Sequence, residues 1–228
     1  MRGRWHQVRN VVMLFVVCLS MVAVVAAGGC SNKLSKDRNK IRLVNAAFWS
    51  EIAAKNGAKA IDLLAPRTIE YFDSLLNHVQ RSGPSKLNTL SFFDRSMVLV
   101  VRNRMDPAAL RRMKSGRELA QWYFETDYTD GEMNRYQLGE ITITRNSARA
   151  EYFVNDVRIN DYKVEFVEEG GSWKFDWLSL VGFIEGDIKQ TLGKAKVTIE
   201  QENKYLLNFE RERSTKNTSP AIWEPPMK

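Results

Sequence analysis

The chain has 228 residues, 44% of them apolar, and sets 34 Lys and Arg against 27 Asp and Glu for a formal balance of +7. That length is enough for one packed domain with appendages, and charges interspersed in this way exclude the basic footprint of a nucleic-acid binder. The only cysteines are Cys18 and Cys30, too few for a disulfide framework.

The first ten residues, MRGRWHQVRN, carry Arg2, Arg4 and Arg9 and no acid, and Val11 to Ala27 hold no charge at all. A basic start, an apolar run and small residues before a break form the pattern of a secretory signal. The run of about 17 residues is at the lower edge of what spans a bilayer, so residues 1–29 are read as a cleaved signal peptide. Without them the balance falls from +7 to +4, which leaves only weak attraction to anionic lipid. Cys18 departs with the signal. The stretch Ala27-Gly28-Gly29-Cys30 resembles the lipobox of bacterial lipoproteins, in which small residues admit the peptide to its peptidase and a thiol at the membrane surface is acylated. Ala27 stands where that family usually has Leu. The resemblance implies a lipid on Cys30, palmitate included, and an anchor on the extracytoplasmic side of a bacterial cell envelope. Ser31 follows, where an inner-membrane retention signal has Asp, which is compatible with the outer membrane. A retained helical anchor and ordinary secretion are the alternatives.

Residues 30–40 then read as the lipidated Cys and a polar tether. From Ile41, apolar residues recur at Val44, Phe48 and Ile52, the spacing of an amphipathic helix that ends at Asn56-Gly57. A second helical segment opens at Ala58, and Pro66 suits the first turn of a new helix carrying Ile69, Phe72, Leu76 and Val79. Ser82 to Ser85 is a loop. Leu87 to Met105, with MVLVV at its centre, is ambiguous between buried strand and buried helix, and its length favours helix. Asp106-Pro107 reads as an N-cap and N1 pair. Ser115-Gly116-Arg117-Glu118 is a capping-box pattern before Leu119, Trp122 and Tyr123.

Past Asp127 the period falls to two. Tyr136 to Thr144 is followed by Ala148, Ala150, Tyr152 and Val154 on one face, then Tyr162, Val164 and Phe166, then Trp173, Phe175 and Trp177. Glu169-Gly170-Gly171 is a hairpin signal. Four antiparallel strands, each greasy on one side, predict a sheet that covers a core. The last segment, 181–213, predicts one long helix. Its apolar or small residues Ile188, Leu192, Ala195, Ile199, Leu206 and Phe209 follow a near-heptad seam in which Glu202 fills one position. That seam either docks on the domain or meets a partner. Residues 214–228 read as a flexible tail with Trp223 as its large anchor.

Helices followed by a meander that ends in GGSWKFDWLSL form an order that resembles the NTF2-like superfamily, the cystatin-like α+β group that includes steroid-isomerase and SnoaL-type members. The residues that carry the resemblance are Ala148, Ala150 and Tyr152, then Phe166, Glu169, Gly171, Trp173, Lys174, Phe175 and Asp176. It implies an α+β domain over 41–180 in which N-terminal helices pack on a curved antiparallel sheet of four or more strands. Such a cone leaves a pocket at its open end. Members span isomerases, dehydratases, adaptors and lipoproteins, so the fold alone does not give the function.

Few residues carry chemistry. His78 is the one histidine outside the signal and reads as a cation at a helix end or a surface residue, so neither a metal site nor a Ser–His–Asp triad is indicated. No glycine-rich phosphate cradle is present, and no cofactor is indicated. An isomerase-type site would need a buried carboxylate and a phenol. Asp94, Asp127 and Asp176 are the acids available for it, and Tyr123 and Tyr152 the phenols, but no motif singles them out and none is assigned as catalytic. Trp49, Phe72, Trp122, Tyr152, Phe175 and Trp177 are the aromatic residues suited to line the cone. The first expectation is thus a non-catalytic, lipid-anchored domain that binds a small apolar ligand in its cone, or a protein partner or second copy through its sheet or last helix. An isomerase or dehydratase and a subunit of an envelope or secretion complex remain as alternatives.

Overall fold

The computed structural model describes residues 33–126, 136–213 and 219–227. The expected signal over 1–29, Cys30 and Asp127 fall outside them. Two compact units separate, 1–42 and 43–228. In the first, the residues from 33 onward are helical and open α1 (33–53). The polar composition of 30–40 predicts a tether, yet the helix already runs from residue 33. Leu, Lys and Arg are good helix formers, and Asp37 pairs with Lys40 one turn on at 3.5 Å.

In the second unit, short helices follow the punctuation of the sequence. Asn56 caps α2 (Gly57–Asp62), and Pro66 occupies the first turn of α3 (Pro66–Arg81). Pro84 opens α4 (Pro84–Leu87), and Ser91 caps α5 (Phe92–Arg104). Asp106 accepts two backbone N–H bonds, each 2.9 Å, at the start of α6 (Pro107–Arg112). Ser115 caps α7 (Gly116–Glu125). The ambiguity of MVLVV has a physical cause: Met97 to Asn103 are all buried, so α5 is enclosed on every side and shows no polar stripe.

The strands β1 (Tyr136–Thr144), β2 (Ser147–Val154), β3 (Val157–Glu169) and β4 (Ser172–Asp176) form a four-stranded antiparallel meander in the order β1-β2-β3-β4. The fold class is α+β. Gly170 and Gly171 take positive φ in the β3–β4 turn, as a tight hairpin demands. The register slips between Leu138 and Ile141 and between Glu151 and Phe153, which bends the sheet. Gly139 lies in the first slip, where a Cβ would meet the Phe153 ring at 2.6 Å. The inner face buries Leu138, Ile141, Ala148, Ala150, Val164 and Phe166. Phe175 of β4 meets Phe48 of α1 at 4.9 Å between ring centroids, and Phe48 meets Phe124 of α7 at 5.6 Å. Beyond β4, Leu64 adds one parallel bridge to Phe175.

The C-terminal part departs from the expectation in three ways. Trp177 is not a strand residue; it opens α8 (Trp177–Ala195), because the Asp176 carboxylate accepts the Leu178 N–H at 3.2 Å and caps a helix there. The expected single helix is two, since Lys196 takes a left-handed conformation and α9 (Ile199–Arg213) begins afresh. The seam is broken with it: Ile199 is exposed, whereas Leu206 is buried. Finally, 219–227 is not loose. Pro220–Trp223 forms a 3-10 turn, and the Met227 N–H donates to the Gln80 carbonyl at 3.3 Å.

Two buried ionic ties hold α9 to α5. Arg95 pairs with Glu202, and Arg104 forks onto Glu210 at 2.7 and 2.9 Å while Asn103 donates to the same carboxylate at 2.9 Å. The polar position in the expected seam, Glu202, thus faces its own domain.

Candidate functional site

The core is packed at one end of the sheet and open at the other. Phenylalanines fill the packed end. Towards the β2–β3 hairpin the inner face carries tyrosines instead, and among the described residues no side chain fills the space beside them. The result is a cavity of about 780 Å³, within the range of roughly 300–1,000 Å³ typical of ligand sites.

Its floor is a ladder of rings. Trp49 of α1 stacks on Tyr136 at 4.7 Å, Tyr136 on Tyr152 at 5.3 Å and 9°, and Tyr152 meets Tyr162 edge-on at 6.0 Å. Phe92, Phe93 and Ser96 of α5 and Tyr123 and Phe124 of α7 form a second wall. The third is the apolar side of α8, with Trp177, Leu180, Phe183, Ile184, Ile188 and Leu192, and Tyr205, Leu206 and Phe209 of α9 close the end. Asp187 and Thr191 are exposed at the rim.

Three of the lining residues carry polar atoms that are buried beneath the cavity surface. The indole N–H of Trp49 and the hydroxyls of Tyr152 and Tyr162 are buried, and none reaches a hydrogen-bond partner at normal geometry among the described residues. Their side chains belong to residues only 4%, 1% and 8% exposed. Burial pushes the Tyr152 hydroxyl far above the usual tyrosine range, with Tyr136 and Tyr162 adding to it; the nearby Trp49 offsets a little. Burial does the same to Tyr162, against a small opposing effect of Ser179. Both phenols therefore stay neutral and can donate or accept. A buried polar group left unmatched costs about 1–3 kcal/mol; the Trp49 indole lies beside the Tyr152 hydroxyl and Ser179 beside that of Tyr162, which moderates the cost.

Of the six aromatics suited to line the cone, Trp49, Tyr152 and Trp177 line the cavity. Phe72 and Phe175 lie fully buried outside its walls. Trp122 is half-buried on α7, also outside the walls. The reason is periodicity: Tyr123 and Phe124 face inward on α7, and their neighbour cannot. Tyr123, the other phenol considered, does line the cavity.

The acids lie elsewhere. Asp94 accepts the Tyr71 hydroxyl at 2.7 Å, outside the cavity walls, and burial followed by the Asp94 charge raises the Tyr71 phenol. Asp176 is not on a polar face. It is fully buried, caps α8 and pairs with Arg67, which also reaches Glu165 at 3.0 Å. Among the described residues, the one carboxylate at the cavity is the exposed Asp187. His78 lies in the last turn of α3 with its Nδ1 2.9 Å from the hydroxyl of Ser82, the C-cap residue. Among the described residues no three His, Cys, Asp or Glu side chains gather as metal ligands, and no described helix is long and apolar enough to cross a membrane.

Most of the lining was missed by sequence reasoning, Phe92, Phe93, Tyr136, Tyr162, Phe183 and Ile184 among it. The signal was available: Leu180, Phe183, Ile184 and Ile188 recur at helical spacing, but a helix starting at Trp177 was needed to see it. Set against family models, curated proteins and solved structures, the chain matches none of them.

Proposed function

We propose that this protein binds a small, mostly apolar molecule in the cavity above the tyrosine ladder, and that it does so without transforming it. The observation that carries this reading is an apolar cavity of about 780 Å³ lined by the rings of Trp49, Tyr152, Tyr162 and Trp177. The absence of a buried carboxylate on the described walls gives a proton-transfer reaction no support. With the lipobox-like sequence at Cys30, the ligand would be held at the extracytoplasmic face of a bacterial membrane, on a domain arranged as an NTF2-like cone.

The test uses the full chain and a neutral, environment-sensitive probe, N-phenylnaphthylamine. Saturable fluorescence enhancement is expected. Ile184→Trp, which fills the cavity from α8, should weaken it at least tenfold while the far-UV circular dichroism stays unchanged. Enhancement that does not saturate, or that ignores Ile184→Trp in a folded variant, would remove the cavity from consideration as a binding site.

A further inference from the structure

A second depression lies against the first. Its walls are Arg67 of α3, Arg149 of β2, Arg158 and Lys163 of β3, and the start of α8. Tyr162 and Phe183 belong to both. The topology explains the adjacency. β3 spans 13 residues and β4 only five, paired with residues 165–169. β4 therefore leaves the earlier part of that β3 edge without a strand partner, and the chain turns into α8, which packs on β3. Side chains alternate along β3, so Tyr162 points to the cavity and Lys163 to the groove. The Tyr162–Phe183 pair, 4.3 Å between centroids, is the partition between an apolar room and a basic groove. Gly182 lines the groove beside it, with open space where a Cβ would stand.

The groove's cations outnumber their carboxylates, though each arginine has one. Glu165 serves two guanidinium groups at once, Arg149 at 2.9 Å and Arg67 at 3.0 Å, and Arg67 also reaches the buried Asp176. Arg158 meets Glu151, while among the described residues Lys163 pairs with no carboxylate. The three arginines are each at least half exposed, and exposed pairs of this kind contribute little and exchange partners readily. Arg149 contacts Glu165 through Nε, which leaves the rest of its fork for a second oxyanion.

We infer that this groove is the head-group subsite of an anionic amphiphile, a hydrocarbon chain ending in carboxylate or phosphate, whose apolar part lies in the cavity. The inference rests on the cavity being the ligand site. The tail displaces no buried charge, and the head reaches Arg149 and Lys163 where Tyr162 and Phe183 border both spaces, once that ring pair shifts. Charge-assisted hydrogen bonds to such a head are the stronger kind, and one of them corresponds to roughly tenfold in affinity.

The experiment is photocapture on the full chain with diazirine-bearing dodecanoate, dodecyl phosphate and dodecanol, followed by peptide mapping. Capture of the acid or the phosphate on α8 peptides should exceed that of the alcohol by about tenfold, and whichever anion dominates names the head. In the double variant Arg149→Ala, Lys163→Ala, whose two side chains are exposed, that ratio should fall towards one. If all three probes label the cavity equally, or the ratio is unchanged in the double variant, the head-group assignment is overturned while the cavity reading stands. If no probe labels the cavity peptides, the ligand reading itself falls, and this inference with it.

Discussion

Arg102 uses every hydrogen it has. Its Nε donates to the Val79 carbonyl at 2.8 Å, one terminal nitrogen to His78 at 2.9 Å and Ser82 at 2.6 Å, and the other to Ile222 at 3.2 Å and Trp223 at 2.8 Å. Burial lowers its pKa to about 10, with Glu224 opposing, so it remains a cation at neutral pH. Lysine offers three donors from a single point and cannot reproduce this fork. Arg102→Ala should therefore destabilise the fold by about 3 kcal/mol, the cost of several stranded carbonyls, and Arg102→Lys should recover little of it in urea unfolding. His78 makes a pH prediction at the same scale. Burial, then Lys86 and Arg102, lower its pKa below the usual 6.5 against a raising effect of Asp94. The unfolded chain thus takes up this proton first as the pH falls. Stability should decline from about pH 7 downward until the folded imidazole also protonates, and His78→Gln should flatten that part of the profile.

At the scale of elements, α9 depends on its ionic ties and α8 on its covering residues. Glu210 is buried and satisfies both Asn103 and Arg104. Glu210→Ala leaves a partly buried guanidinium without its carboxylate and should cost about 3 kcal/mol in thermal or urea unfolding. In α8, a Cβ at Gly186 would meet nothing within 4 Å; no contact explains a glycine inside that helix. Gly186→Ala should stabilise by roughly 0.5–1 kcal/mol, measurable as a raised Tm. The elements that the sequence made legible are those with local causes. Asp106 and Ser115 cap where capping residues stand, Pro66 opens a helix, and Gly170-Gly171 turns the hairpin. Asp176 misled because its strand pattern continues through Trp177, while the cap bond that ends the strand is visible only in three dimensions. Half of the expected cavity aromatics line it for a similar reason: burial was readable from periodicity, but which buried ring faces empty space depends on which neighbours fill the rest.

Over the whole domain, the division of labour runs along the sheet. Phenylalanines make one end solid, and tyrosines with an indole leave the other hollow. Ile184→Trp, introduced above as a test of binding, should also raise the melting temperature slightly, because filling a void restores dispersion contacts that its lining lacks. The same domain is fastened by the Arg102 clamp, which joins two distant stretches of chain. Two of the five carbonyls on Arg102 belong to residues 222 and 223, the first of them 120 residues further along. Without them, a buried cation in the last turn of α5 lacks part of its shell. Anything that pulls 219–227 away should therefore loosen the ends of α3 and α5 together, so that these two helices lose their protection from proteolysis as one unit.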